Sequence, residues 1–163
     1  MKVVADASVL IALSTIRQLP LLAERFAQGI LIPQAVWREV VEQGGDRPGA
    51  QDVAAAPWIK VLPGATSGIS QLLQAELEEG EAEAIALAHA LSADLVLLDE
   101  RDARQAAARL GLRTLGAIGI LIWAKQSGRL PALKPTLDAL RTQGKFRISR
   151  TLYEQALATV GEL

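Results

Sequence analysis

The chain has no cysteine and a single histidine, His89, among its 163 residues. Disulfides, thiolate zinc sites, cysteine nucleophiles and multi-histidine metal centres are therefore excluded. Aromatic residues make up only 4% of the sequence, so alanine, leucine, isoleucine and valine must build any core. There is no run of about 20 uncharged apolar residues, which a membrane-spanning helix requires. No charged segment with a cleavage site precedes the first apolar run, so no signal peptide is expected. A reducing, cytoplasmic setting suits these absences. A glycine-rich loop ending in Gly-Lys-Ser/Thr is also missing, which removes a P-loop nucleotide site.

What remains is 50% hydrophobic and long enough for one domain with a full core. The net charge of −1 hides an asymmetry. Residues 1–100 carry 6 Lys/Arg against 14 Asp/Glu, and residues 101–163 carry 11 against 4. Solvated helix faces can produce such a split. The sharper reading is an acidic site beside a basic surface, suited to a polyanionic substrate.

Short apolar runs alternate with helical patterns along the chain. Residues 2–5, "GILIP" (29–33), "WIKVLP" (58–63), "ADLVLLD" (93–99) and "LRTL" (112–115) read as strands. Helices are expected at 8–16, 19–26, from Pro33 to the Gly44-Gly45 stop, and at 70–79, where Gly80 breaks the run before a second helix, "EAEAIALAHALS". "DRPGAQD" reads as a loop followed by a short helix. Further helices follow at 101–110, in "GAIGILIWAKQSG", at 131–142 and at 150–160. Strands separated by helices predict an α/β fold with a mainly parallel sheet.

In an open parallel sheet, ligands bind beyond the carboxyl ends of the strands. Four acids fall at that edge. Asp6 ends the first strand, Asp99 ends "DLVLLD", Glu39 lies in the helix after "GILIP", and Glu81 follows Gly80. Each alone has an ordinary explanation: a helix cap for Asp6 or Asp99, an exposed helix face for Glu39, the positive helix end for Glu81. Their convergence on one edge is harder to explain that way. Two unit charges about 4 Å apart repel by roughly 4 kcal/mol at an effective dielectric near 20. Such a cluster needs a counter-charge or retained protons. With oxygen donors only, the fitting ions are hard ones, Mg²⁺ or Mn²⁺.

Four segments, "VVADASVLIAL", "IPQAVWREV", "GEAEAIALA" and "LVLLDERDAR", occur in this order across residues 3–104. In this the chain resembles the PIN-domain ribonucleases, which include the toxin halves of VapC-type toxin–antitoxin pairs. The helices beyond resemble a PIN subgroup of predicted nucleic-acid-binding proteins. The resemblance implies a three-layer α/β/α fold, a single domain over 1–163 with a 1–115 core and a 116–163 helical part, and metal-dependent hydrolysis of RNA. It also implies a small antitoxin partner if the chain is a toxin; the apolar early helices leave room for a homodimer. By the same resemblance Asp6, Glu39, Glu81 and Asp99 are the metal-site and catalytic acids, Ser8 is the small polar neighbour of Asp6, and Asp102 is a looser additional ligand. Glutamate stands at position 81 where the family often has aspartate, and Glu83 competes with it for the role.

Other readings stay open at this stage. A catalytically silent module of the same fold would bind RNA or a protein without cleaving. A phosphoryl-transfer enzyme using Asp6 as nucleophile would want an Asp-x-Asp pair, where this chain has Asp6-Ala7-Ser8. A small-molecule enzyme fits poorly with the basic second half. Gly116 and Gly119 point to close helix packing, and Trp37, Trp58 and Trp123 to the core. His89 is expected at or near the surface. Arg101, Arg104, Arg109, Arg141, Lys145, Arg147 and Arg150 are candidate phosphate contacts.

Overall fold

Five short apolar segments pair side by side as strands: β1 (Val3–Ala5), β2 (Ile30–Pro33), β3 (Ile59–Leu62), β4 (Leu95–Leu97) and β5 (Thr114–Leu115). The structure, a computed structural model, describes residues 1–63, 67–144 and 146–163. All pairings are parallel and the strand order is β3-β2-β1-β4-β5. β1 is central, with Val4 opposite Leu31 on one side and Val96 on the other. Strands buried on both faces need no polar alternation, which is why they read as continuous apolar runs.

Helices α1 (Ala7–Thr15), α2 (Leu21–Arg25), α3 (Gln34–Trp37) and α4 (Pro48–Ala55) connect the first three strands. α5 (Gly68–Leu73) and α6 (Glu79–Ala90) lead back across the sheet to β4, and α7 (Arg101–Arg109) leads on to β5. α8 (Ala117–Gln126), α9 (Lys134–Gln143) and α10 (Arg150–Thr159) complete the chain. α6 packs on β1, β2 and β4 with α5 and α7 beside it, whereas α1 packs against α4, α8 and α9. Helices therefore cover both faces, as right-handed crossovers of opposite direction require. This is the expected three-layer α/β/α arrangement.

One continuous core runs from Val3 to Leu157 and takes in α8, α9 and α10. Glu162 ties the chain end down, its carboxylate accepting from the N–H groups of Leu133 (2.6 Å) and Lys134 (3.0 Å) at the amino end of α9. Trp37, Trp58 and Trp123 pack partly buried against the core, and His89 is exposed. Among the described residues, no helix is long and apolar enough to cross a membrane.

Three local expectations are corrected. The helix after β2 does not run on as α-helix but passes into a π-helical turn at Arg38–Glu42, with the Gln43 N–H donating to the Arg38 carbonyl at 2.7 Å. A π-turn adds a residue to the circumference, a shift that periodicity of the sequence does not reveal. Most of "DRPGAQD", from Pro48 on, is helical, because Pro48 starts α4 at a position where its missing N–H costs nothing. Gly80 does not separate two helices: α5 ends at Leu73, and Gly80 lies inside the first turn of α6.

Leu97 is fully buried in β4. Leu97→Ala should lower stability by about 2–5 kcal/mol through lost transfer energy and the cavity left behind. Urea denaturation checks this; a cost below about 1 kcal/mol would mean that the central sheet can collapse around the gap.

Candidate active site

The strand order turns back between β1 and β4, and at such a switch point the connections leave the sheet in opposite directions and open a crevice. Asp6 directly follows β1, and its N–H donates to the Leu97 carbonyl of β4 at 3.0 Å. Asp99 lies two residues beyond β4. The two carboxylates therefore belong to adjacent strand tips. A cleft of about 540 Å³ opens there, lined by Asp6, Glu39, Glu78, Glu81, Asp99 and Glu100, with Ser8, Phe146 and Arg147 at its walls.

Asp6 is 3% exposed. It occupies the position preceding α1 yet makes no capping bond to that helix. Instead its Oδ2 accepts from the Ser8 hydroxyl at 3.0 Å. Asp99 does not cap α7 either. Its Oδ1 accepts from the Ala117 N–H at 2.8 Å, so it caps α8 from across the sheet edge. Gly116 makes that possible: a Cβ there would come within 2.6 Å of Asp99 Oδ1 and 3.0 Å of Arg104 Nη1. Asp99 Oδ2 is buried and has no hydrogen-bond partner among the described residues.

Glu39 reaches the cleft from the π-turn. Its Oε1 would stand 3.1 Å from a Cβ at Gly80, and Asp6 Oδ1 would stand 3.6 Å from it. Gly80 is thus the floor on which these two carboxylates meet, and this explains a glycine within a helix. Glu81 is the third residue of α6, and its Oε1 accepts from the Glu78 N–H at 3.2 Å. Glu83 does not line the cleft; it stands near Glu79 and Arg38. Asp102, on the first turn of α7, lines a neighbouring acidic depression with Glu76, Glu78, Glu81 and Glu100, not the cleft that holds Asp6 and Asp99. Glu78 and Glu100 were not singled out from the sequence. Each immediately precedes a helix, Glu78 before α6 and Glu100 before α7, near Glu81 and Asp99 in the sequence.

The electrostatics follow from burial. Desolvation raises the Asp6 carboxyl, while N–H groups of Ala7 and Ser8 and the Ser8 hydroxyl oppose it. Burial first, then the charge of Asp6, raises Glu39 and pushes Glu81 up to about 7. Burial pushes Asp99 up to about 6, against the Ala117 N–H and Arg104. Asp6 raises each of the other three, which makes it the electrostatic centre of the group. Perturbed carboxylates in a cleft are a recognised mark of functional sites.

A hard divalent cation fits this donor set. All donors are oxygens, and Asp99 Oδ2 is a buried acceptor with nothing to accept from among the described residues. Among the described residues no three acidic or histidine side chains already stand at ligating spacing. Several are instead held by their own elements: Asp6 by Ser8, Asp99 by α8, Glu81 by the Glu78 N–H.

The basic candidates divide. Arg147 lines the cleft and Arg104 faces Asp99. Arg109 pairs with Glu76, Arg150 with Glu154, and Arg141 stacks over Tyr153. Arg101 is exposed at the start of α7. Lys145 lies outside the described residues.

A family model described as a PIN domain matches residues 2–162. A solved structure of a PilT N-terminus domain protein from the hyperthermophilic archaeon Sulfolobus solfataricus P2 is similar, with 16% identity over 92% of this chain and 99% of that one and a TM-score of 0.49. No curated protein matches the chain in sequence.

The raised carboxyls make stability depend on pH in a definite direction. Between about pH 4.5 and pH 7 the folded chain holds protons that the unfolded chain releases, so stability must fall as pH rises through this window. Metal-free protein in EDTA should therefore melt higher at pH 5 than at pH 7.5, and Asp99→Asn should reduce the difference. A melting temperature that climbs steadily over this range would show that the carboxylates are not crowded.

Proposed function

The chain belongs to the PIN-domain family, and from that premise we propose that it is a Mg²⁺- or Mn²⁺-dependent nuclease hydrolysing RNA phosphodiester bonds. The observation that carries the reading is the pair of carboxylates, Asp6 and Asp99, on adjacent strand tips, with Asp99 Oδ2 buried and unpartnered among the described residues. The net acidity of the cleft supports it further, since a site of this charge needs a cation before it can approach a phosphate.

In this reading Asp6 and Asp99 hold the ion, and Glu39 and Glu81 complete its surroundings directly or through water. When bound, such an ion lowers the pKa of a coordinated water and neutralises charge developing on the phosphoryl group. The protein's own part is positioning. The Ser8 hydroxyl fixes the Asp6 carboxylate, and the Ala117 N–H fixes Asp99 with Oδ2 left over. Arg104 helps keep Asp99 ionised. Arg147, at the wall of the cleft, offers a guanidinium to a substrate phosphate. Asp102, set apart from the cleft, fits a more distant role than ligation. A small antitoxin as partner and a homodimer belong to the same proposal.

Cleavage of a panel of RNAs with Mg²⁺, Mn²⁺ or EDTA tests it. Asp6→Asn and Asp99→Asn should each abolish metal-dependent cleavage while leaving a folded protein. Glu83→Ala and His89→Ala should stay within a few-fold of wild type. In thermal melts, free Mn²⁺ at about 100 times its Kd should stabilise wild type by about 2.7 kcal/mol and the two Asn variants much less. Wild-type turnover in either Asn variant would remove that aspartate from the site. RNA binding without cleavage under any metal would leave a silent module of the same fold.

A further inference from the structure

Beside the carboxylate cleft lies a second cavity of about 330 Å³, which shares Asp99, Phe146 and Arg147 with it. Its walls are largely apolar. Ile118, Gly119 and Ile122 come from α8, Phe146 from the segment after α9, and Leu152 from α10. Leu152 is 42% exposed, one of the few large apolar side chains left open to solvent. On the α8 side Gly119 leaves room for Leu115, which also lines the cavity and whose Cδ1 a Cβ there would overlap. Arg104 and Arg147 also line the cavity, and Asp99 is the one acid among its described lining residues. The apolar surface is therefore joined to the acidic cleft across a shared wall that carries one aromatic ring and one guanidinium.

Resting on the nuclease reading above, we propose that this cavity is a nucleobase subsite, taking the base of a nucleotide next to the phosphate held at the carboxylate cleft. The occupant must present an anionic group on one side of the shared wall and a flat apolar group on the other, linked by a short tether. A nucleotide of a single strand has this construction. The base stacks on Phe146 while Arg147 binds the backbone phosphate between the two compartments. A base within a duplex keeps both faces stacked and its edge paired, so the subsite selects unpaired RNA. Apart from Arg104, Arg147 and Asp99 the described lining offers no polar side chain to read a base edge. Recognition here rests on the π-face, which every base possesses, and tolerates sequence. An acidic peptide fits less well, because its carboxylates would face Glu39, Glu78, Glu81 and Glu100 without bringing a group for the apolar wall.

The test uses one short single-stranded RNA in which each nucleotide in turn is made abasic, cleaved with Mn²⁺. In wild type, removing the base at one position beside the cut should raise KM about tenfold with kcat little changed, as loss of one stacked base implies. In Phe146→Ala all positions should be equally tolerant, and Phe146→Tyr, which keeps the ring, should keep the positional effect. Leu152→Gln, at the exposed edge where folding is not at stake, should weaken it. A second arm places 2-aminopurine at the sensitive position and follows its fluorescence on binding to Asp6→Asn protein, in which loss of one carboxylate charge eases approach of the phosphate. Quenching that disappears when Phe146→Ala is added supports the subsite. Wild-type cleavage with equal KM for every abasic RNA would overturn the subsite, leave the nuclease reading standing and return the cavity to a protein side chain. Absence of any metal-dependent cleavage would instead overturn the nuclease reading, and the fluorescence arm would still decide the base contact: no quenching at any position overturns it.

Discussion

The constraint on which the rest of this structure depends is a repulsion at one edge of the sheet. β1 and β4 are parallel neighbours where the strand order turns back, and each chain leaves its strand through an aspartate. Parallel pairing puts both carboxylates at the same end, and burial takes water from them. Glu39 and Glu81 arrive from two different helices and face the same central Asp6. The Ser8 hydroxyl, the Ala117 N–H and Arg104 oppose only part of this crowding. Protons or a cation must offset the rest, and the raised affinity of these groups for protons expresses that need.

The fold accommodates the crowding with two glycines and one helix end. Gly80 gives up its side chain inside the first turn of α6, where glycine lowers helix stability, and the space goes to Glu39 and Asp6. Gly116 leaves α8 without a side-chain cap, and Asp99 supplies the missing acceptor. A helix amino end also carries a partial positive charge, so the same contact offsets part of the Asp99 charge. The carboxylate is thus held by one oxygen while the other is left over. A strand-tip acid that merely capped its own following helix would not have this geometry.

The opposite charges of the two halves of the chain acquire meaning only through this arrangement. Most basic residues of the second half are occupied elsewhere, Arg109 with Glu76, Arg150 with Glu154, Arg141 against Tyr153. Exposed pairs of this kind contribute little to stability. Arg104 and Arg147 differ: α7 sets Arg104 beside Asp99, and the segment between α9 and α10 brings Arg147 back to the acidic edge. The helical part thereby completes the cleft with a cationic and aromatic wall, in addition to covering the sheet.

The strands, the parallel sheet and the principal acids were legible in the sequence because each depends on short-range pattern. A buried parallel strand reads as an apolar run, and a charged residue at its end stands out against it. Asp6 and Asp99 could be named in this way; Glu39 and Glu81 were named from their helices and the family resemblance. The alternation of strands and helices gave the α/β class, its three layers following from that resemblance. The π-turn at Arg38–Glu42, the start of α4 at Pro48 and the place of Gly80 inside α6 were not legible, because each is set by what packs against it. The preference for Glu81 over Glu83 in lining the cleft, the stand-off of Asp102, and the entry of Glu78, Glu100 and Arg147 likewise come from tertiary placement. Periodicity states which face of a helix a residue occupies. It does not state which strand tip that face will meet, and only the closing of the sheet at β1 and β4 decided that.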